Sequence, residues 1–415
     1  MTSGQKTGHT PGHKDGERRV EQSEPLQRME PLLISEGSRF RGELTDLALD
    51  LAAKSARFKA SLPPGLVQPL ARAVRTMNCY YSNLIEGHDT HPVDIERALQ
   101  QDYSGDKTRR DLQLEARAHI DVQEWLDDAS APNTIFSSSL ALEIHGRFCA
   151  RLPEDLLWAV NPDTGRRLKV EPGKWREHHI RVGSHVAISP AAIPRFMKRF
   201  EEAYGRAGRA DAIIATASAH HRFLWIHPFL DGNGRVARLM SHAQMLHLVD
   251  NGALWSIARG LARSVGRYKE LLQNCDLQRR NDLDGRGNLS EEALAEFTRF
   301  FLLTATDQVT FMESLMRPAE LRARVLVWAE EETRLDRLPP RARTLLEHAL
   351  LRGTIARGEV ASLLGVSERT ARRVTSAVID AGVLTSDSPK APLTLAFPAR
   401  LASRWMPGLF PEHAH

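Results

Sequence analysis

The sequence predicts a mainly α-helical fold with one β-hairpin in its central part and a separate C-terminal domain. Apolar residues recur every three or four positions through most of residues 41–316, which is the spacing of amphipathic helices. β-Branched residues alternate with other types only in residues 180–188. Two adjacent prolines, Pro339 and Pro340, interrupt the helical pattern, and we place a domain boundary there.

The length of the chain, 415 residues, suggests two or three domains at about 150 residues each. A hydrophobic content of 42% and a charged content of 26% are ordinary for folded domains. The predicted division is a disordered tail (1–32), an N-terminal helical region (33–105), a helical core (106–318), a linker helix (319–338), a C-terminal domain (339–402) and a second tail (403–415).

The composition argues against several classes of protein. Cys79, Cys149 and Cys275 are widely separated and odd in number, so they indicate neither a disulfide framework nor a zinc site. Such cysteine use fits a reducing compartment, and we expect a cytoplasmic protein. The sequence has no signal peptide and no run near the roughly 18 apolar residues of a membrane span, so a membrane is not among the expected partners.

The N-terminal third is predicted to be helical. One of its helices ends in "SNLIEG", with Gly87 as a glycine of the kind that terminates helices. Glu86 then lies in the last turn, where a carboxylate faces the negative end of the helix dipole. The placement requires either a cationic partner or exposure to solvent.

The helices of the core alternate with breakers. Residues 130–133 contain a proline and an asparagine and separate two helical stretches. The single hairpin follows, with Gly183 and Ser184 at its turn. Helical spacing then returns in five stretches, residues 193–207, 211–226, 233–249, 266–280 and 291–316.

The string "HPFLDGNGRVAR", residues 227–238, carries the chemistry of the core. Pro228 ends the preceding helix, and Gly232 and Gly234 allow backbone N–H groups to converge at the start of the next helix, which is a site suited to phosphate. Asp231 offers a hard oxygen ligand to Mg²⁺. A lone histidine or a "GNGR" turn is usually structural, but the complete string is far more specific.

Two further groups complete this interpretation. Arg235 and Arg238 are three residues apart, so they lie on nearly one helix face and can both contact phosphate oxygens. His227 lies at the mouth of this phosphate site, with a side chain that can accept a proton. The string has neither the spacing of a P-loop nor that of a Rossmann fingerprint, and it indicates nucleotidyl or phosphoryl transfer.

The string "HPFLDGNGRVAR" resembles the signature of the Fic proteins at every defining position. The resemblance extends over roughly residues 70–315 and implies transfer of AMP from ATP and Mg²⁺ to a hydroxyl side chain (Ser, Thr or Tyr) of a target protein. It implies that His227 is the base, Asp231 the magnesium ligand, and Phe229 the anchor of the loop in the core. The remaining implied contacts are to the phosphates, made by Gly232, Asn233, Gly234, Arg235 and Arg238.

The string "SNLIEG" resembles the inhibitory motif that many Fic proteins carry, with Ser82 and Glu86 at its defining positions. This resemblance implies that Glu86 pairs with Arg238, so that ATP binds in a pose unsuited to transfer. In some relatives the same glutamate assists removal of AMP, so a bifunctional enzyme is an alternative.

The hairpin is either a plain structural element or, as in Fic relatives, a flap whose edge binds the target peptide by strand addition. The flap residues are Val182, Gly183, Ser184, His185 and Val186. Tyr268 and Leu271 are expected on the nucleoside or target side.

The C-terminal domain is predicted to be a winged helix-turn-helix, with Gly365 in the turn and Ser367 as the N-cap of the second helix. Residues 341–400 carry nine Lys or Arg against five Asp or Glu, an excess of four that equals that of the whole chain. The candidate DNA-binding residues are Arg369, Thr370, Arg372 and Arg373. The same domain could instead serve protein contact or a homodimer.

Two functions from different classes stand at this point. The first is a protein-modifying AMP transferase with an appended recognition domain. The second is a DNA-binding regulator whose core senses a nucleotide. The intact motif favours the enzyme, and other donors, such as UTP or a choline-phosphate nucleotide, stay open.

Overall fold

The computed structural model describes residues 24–128, 134–160 and 165–411. The first part of the predicted N-terminal tail (1–23), the predicted break at 130–133 and the last four residues lie outside the described residues. Every helix within the described ranges is too short or too polar to cross a lipid bilayer.

The N-terminal region is helical, as predicted. Its helices are α1 (Arg41–Ser61), α2 (Pro64–Ile85), α3 (Pro92–Leu99) and α4 (Lys107–Asp127). Asp106 caps α4 by accepting a hydrogen bond from the backbone of Arg109. Gly87 follows α2 with a φ of +88°, which confirms the predicted glycine at that helix end. Most of α2 is buried, so the helix that leads to Glu86 is a central element of the fold.

The core helices are α5 (Ser138–Ala150), α6 (Ile193–Tyr204), α7 (Arg209–Ile226), α8 (Asn233–Val249), α9 (Ala258–Arg263), α10 (Val265–Asn274) and α11 (Glu291–Met316). α7 and α8 pack against each other and are buried on nearly all faces. α8 also contacts α2, α4 and α5. The motif loop between α7 and α8 therefore emerges from the centre of the core and meets the N-terminal helices.

The strands of the core form two hairpins where the sequence predicts one. The predicted hairpin pairs β3 (Arg181–Val182) with β4 (His185–Val186). A second one pairs β1 (Trp158–Val160) with β2 (Arg167–Lys169), so the expectation of a single hairpin is wrong. Its strands are three residues long and partly exposed, too short to give a pattern of alternation.

The C-terminal part contains α12 (Pro318–Arg334), α13 (Ala342–Arg352), β5 (Thr354–Ile355), α14 (Val360–Leu364), α15 (Glu368–Asp380), β6 (Leu384–Thr385), β7 (Leu393–Leu395) and α16 (Ala402–Trp405). The three strands form an antiparallel sheet in the order β5-β7-β6. Gly365 has a φ of +62° between α14 and α15, and Ser367 caps α15, as the sequence predicts.

The described parts of both predicted tails pack on the folded chain. Met29 and Leu32 are buried, and the carbonyl of Glu30 accepts a hydrogen bond from the backbone of Leu289. At the other end Trp405 and the residues around it are buried as well. The boundaries at 32 and 403 are therefore corrected, because a few apolar anchors without periodicity hold both segments on the folded chain.

Candidate active site

His227 ends α7 in an unusual backbone conformation. Its φ is 50° and its ψ 61°, in the left-handed region that non-glycine residues seldom adopt. Its Nδ1 lies 3.2 Å from the carbonyl oxygen of Leu224. Because a carbonyl only accepts, Nδ1 carries the proton and Nε2 keeps its lone pair. Burial lowers the pKa of His227 to about 4, so the ring is neutral near pH 7.

Arg176 fixes the loop that carries His227, a role that nothing in the sequence pattern indicates. Its Nε donates to the carbonyl of His227 at 2.8 Å, and one Nη donates to that of Ile188 at 2.6 Å. Its backbone N–H donates to the carbonyl of Pro228 at 2.9 Å. Arg176 is buried, and these contacts join the motif loop to the end of the β3–β4 hairpin.

Phe229 is fully buried and stacks on His145, with ring centroids 3.9 Å apart and planes 4° from parallel. The side chain of Asn233 spans the loop, accepting from the backbone N–H of Phe229 and donating to its carbonyl, each at 2.9 Å. This differs from the phosphate contact implied for Asn233, because both polar atoms of its side chain hold the loop closed.

The loop passes into α8 at Gly232, which has a φ of 80°. The N–H groups of the first helical turn have no partner inside the helix and carry the positive end of its dipole. Asp231 accepts a hydrogen bond from the N–H of Gly232 at 2.6 Å, and its side chain is 59% exposed. The described residues contain no cluster of three or more metal-ligating side chains.

The two motif arginines are buried and held differently. Arg235 lies 3.3 Å from Glu115 and 3.9 Å from Asp231, with its guanidinium 4.8 Å above the ring of Phe148. Its Nε and one Nη have no hydrogen-bond partner. Arg238, in contrast, donates from Nε to the Oγ of Ser82 at 2.9 Å and from one Nη to the carbonyl of Ser82 at 3.1 Å.

Glu86 completes the contacts of Arg238, with its Oε1 2.5 Å from the guanidinium. Burial opposes ionisation of Glu86, but the charge of Arg238 outweighs it and lowers the pKa of this carboxyl. Gly234 lies directly beneath, and a Cβ at this position would overlap the Glu86 carboxylate. Glu86 therefore lies over the first turn of α8, where only a glycine leaves room for it.

Some of these groups line one cavity of about 620 Å³, whereas Asp231 and Arg235 are not among its lining residues. Its lining includes Glu86, His227, Gly234, Arg238, Tyr268 and the hairpin residues 182–185. Tyr268 and Leu271 are the two residues expected on the nucleoside or target side, and of these Tyr268 lines the cavity. The hydroxyl of Tyr268 lies 2.7 Å from Nε2 of His220.

The β3–β4 hairpin forms one wall of this cavity. Gly183 has a φ of +59°, as a glycine does at the first central position of a type II′ turn. The side chain of His185 turns inward, with Nε2 2.7 Å from the carbonyl of Trp225, while Gln273 donates to Ser184 at 3.3 Å. Val182 and Val186 are about half exposed.

The C-terminal candidate residues lie on α15, away from the cavity. Arg369, Arg372 and Arg373 are exposed, and the hydroxyl of Thr370 contacts that of Ser367. Arg372 pairs with Glu368 at 3.1 Å across one helical turn.

Comparisons with known proteins agree with this geometry. Residues 135–245 match the model of the Fic/DOC family. The protein adenylyltransferase Fic of Drosophila yakuba is 33% identical over 79 residues, which are 19% of this chain and 16% of that protein, and that of Drosophila grimshawi is equally similar. The chain thus spans only about a sixth of the length of the curated relatives it matches.

Two solved structures share the fold. A Fic family protein from Desulfovibrio desulfuricans G20 has a TM-score of 0.51 at 17% identity, over 88% of this chain and 98% of that one. Fic-1 (residues 134–508) from C. elegans also has a TM-score of 0.51, at 16% identity, over 67% of this chain and 74% of that one. The fold is therefore mainly α-helical and similar to that of Fic proteins, and residues 135–245 form a Fic/DOC domain.

Proposed function

We propose that this chain is a protein adenylyltransferase, which transfers AMP from ATP to a hydroxyl side chain of a target protein. The observation that carries the proposal is that His227, Arg238 and the glycine start of α8 all line one cavity of about 620 Å³. Nucleotidyl transfer needs a base, a cationic side chain and an anion-binding helix start around one space, and these three groups supply them.

The phosphates of ATP fit the first turn of α8. Arg235 has N–H groups without hydrogen-bond partners although it is buried, so it has donors for phosphate oxygens. Asp231 fits Mg²⁺, because an exposed carboxylate beside phosphate oxygens is the usual protein contribution to a magnesium site. Mg²⁺ bound there would offset the charge of the phosphates.

In the transfer step, Nε2 of His227 takes the proton of the target hydroxyl. The hydroxyl oxygen forms a bond to the α-phosphorus, the bond from that phosphorus to the oxygen bridging to the β-phosphate breaks, and pyrophosphate leaves. The hydrogen bond from Nδ1 to Leu224 keeps Nε2 as the acceptor throughout. The β3–β4 hairpin would bind the target by strand addition, since it borders the same cavity.

The resting state would be inhibited by Glu86. The Nε and one Nη of Arg238 are engaged by Ser82 and Glu86, so a γ-phosphate would have to displace Glu86 to form a two-pronged contact with this guanidinium. With Glu86 in place, ATP would bind in a pose unsuited to in-line attack.

Labelling with α-³²P-ATP and Mg²⁺ tests this function in three forms of the full chain. Glu86→Gly should transfer label faster than wild type, and the double variant Glu86→Gly/His227→Ala should lose about 10²- to 10⁴-fold of that rate. ATP binding that persists in every form without transfer would favour the nucleotide-sensing regulator. Parallel reactions with UTP and a choline-phosphate nucleotide identify the donor.

DNA is the second candidate partner, through α15. Arg369 and Arg373 are exposed on this capped helix and make no ion pair within the described residues, so they are available to phosphates or base edges. We expect the protein to shift the electrophoretic mobility of a DNA duplex from the promoter region of its own gene. The double substitution Arg369→Ala/Arg373→Ala should weaken this shift. Arg404→Ala, which alters a surface pair with Glu331, is the matched control. A shift that the double variant leaves unchanged would favour a protein-contact role for this domain.

A further inference from the structure

Each arginine of the motif faces a carboxylate from the N-terminal helices. Arg238 pairs with Glu86 just beyond α2, and Arg235 lies 3.3 Å from Glu115 in α4. The side chains of Arg235 and Glu115 are only 9% and 12% exposed, so solvent screens this second contact little.

Glu115 has a further partner, which connects it to the segment of Glu86. Its Oε2 lies 2.6 Å from Nδ1 of His88, two residues beyond Glu86. Between the two residues, Gly87 turns the chain at the end of α2. Glu115 is therefore shared between the segment that carries Glu86 and an arginine of α8.

The electrostatics of the three groups agree with a charged cluster. The hydrogen bond that His88 donates to Glu115 raises the pKa of His88. Burial opposes ionisation of Glu115, but His88 and Arg235 lower its pKa. The other charge facing His88 is that of Glu86, so His88 lies between two carboxylates and one guanidinium.

Arg235 is attracted to Glu115 without forming a well-directed hydrogen bond to it. The Nη1 nearest to Glu115 and the Nε both lack a hydrogen-bond partner, and the guanidinium rests on Phe148. Arg235 lies in the first turn of α8 but is not among the residues that line the cavity. A phosphate bound at this turn would have to compete with Glu115 for Arg235, as it would compete with Glu86 for Arg238.

We propose that Glu115 is a second inhibitory residue, a positioning residue that holds the Glu86 segment over α8 through His88 and draws Arg235 away from phosphate. This inference rests on the proposed AMP transfer. It differs from the pairing of Glu86 with Arg238 in predicting that inhibition is weakened by substitutions that leave both of those residues unchanged.

The test uses Glu115→Gln, His88→Gln and, as a control on the same helix, Asp111→Asn, which alters only a pair with Lys107 at the surface. AMP transfer at saturating ATP should rise about 3- to 10-fold in the first two variants, the range expected for losing one ordinary hydrogen bond, and stay unchanged in the control. In a Glu86→Gly background the rise caused by Glu115→Gln should be smaller than in the wild-type background, because the Glu86 segment no longer inhibits and only the contact between Glu115 and Arg235 is relieved.

His88 is partly exposed, so His88→Gln keeps the test valid if Glu115→Gln folds poorly. An unchanged rate in folded Glu115→Gln and His88→Gln would overturn the proposal. So would a fall in rate in both backgrounds, because Glu115 would then orient Arg235 for catalysis.

Calorimetry with ATP and Mg²⁺ separates this proposal from the proposed function. If no form of the protein transfers AMP, the proposed function fails. ATP binding would still report whether Glu115 and His88 hold the Glu86 segment over α8. Binding about 3- to 10-fold tighter in Glu115→Gln and His88→Gln than in wild type supports the second inhibitory role, and equal or weaker binding contradicts it.

Discussion

At the scale of single residues, the ionisation of His227 is set by its surroundings. Burial lowers its pKa to about 4, while the carbonyl of Leu224 fixes the proton on Nδ1. The free protein therefore presents a neutral imidazole at every pH above about 5. Phosphates bound beside it would favour the protonated ring and raise that pKa.

This gives a prediction for pH dependence in the Glu86→Gly variant. Since kcat/KM reports the free enzyme, it should not fall between pH 7 and pH 5, and it should decline only as the pH approaches 4. The acid limb of kcat should lie at higher pH, because it reports the complex with ATP. Steady-state rates at several ATP concentrations measure both, and a kcat/KM that falls with an apparent pKa near 6.5 would contradict the account.

The sequence identifies the residues of the motif but not the residues that hold them. His227, Asp231 and the two arginines stand out because polar groups and glycines are concentrated in twelve positions. Arg176 and Glu115 are single charged residues in stretches with many others, and only the fold brings them to the motif. The resemblance implies a phosphate contact for Asn233, whereas in the structure its side chain forms hydrogen bonds with the backbone of Phe229.

At the scale of elements, the β3–β4 hairpin offers an edge beside the cavity. Its register pairs Val182 with His185 and Arg181 with Val186, and the next hydrogen bond runs from Ala187 to Ile180. Hydrogen-bonded and non-hydrogen-bonded pairs alternate in antiparallel strands, so the N–H of Val186 points away from β3. A target segment added at that edge would accept a hydrogen bond from the N–H of Val186.

Val186→Pro removes this N–H from the edge, where a proline is tolerated. In a Glu86→Gly background we expect it to reduce labelling of proteins in a cell lysate by α-³²P-ATP about 10-fold, roughly the effect of one interfacial hydrogen bond or a little more. ATP affinity should stay unchanged. Val186→Ala retains the N–H and is the control; equal labelling by the proline and alanine variants would argue against strand addition.

At the scale of the whole molecule, the C-terminal domain packs directly on the helix that leads to Glu86. Gly353, at the end of α13, meets Gly65 in the first turn of α2 with backbone against backbone. At the far end Phe410 packs edge-on against Tyr80 of α2, with ring centroids 5.7 Å apart. The boundary predicted near residue 339 thus separates two patterns in the sequence. In the structure, however, the parts of the chain on either side of it are in close contact.

Gly353→Ala should reveal the energetic weight of this contact. Gly353 has a φ of +77°, and a Cβ there would overlap the backbone of Gly65, so we expect a loss of about 3 kcal/mol in the free energy of unfolding. Gly365→Ala is the matched control, since its φ is +62° with open space around it, and it should cost only about 1 kcal/mol. Urea unfolding measures both; equal losses would mean that the contact is loose.

Sequence periodicity predicts most of the helices of the whole molecule because they are long and amphipathic. It misses β1 and β2, which are short and partly exposed, and it assigns to tails the segments around Met29 and Trp405 that pack on the core. The two segments are held by contacts with residues far away in the chain, which local patterns do not show, whereas β1 and β2 are neighbours in sequence but too short to give a period.

The central claim is that His227 drives AMP transfer once Glu86 is removed, and intact-mass spectrometry tests it most directly. After incubation of a target-containing extract or the protein itself with ATP and Mg²⁺, Glu86→Gly should yield protein heavier by one or more adenylyl groups. Glu86→Gly/His227→Ala should yield none under the same conditions. Adenylylated protein in equal amounts from both forms would contradict the account.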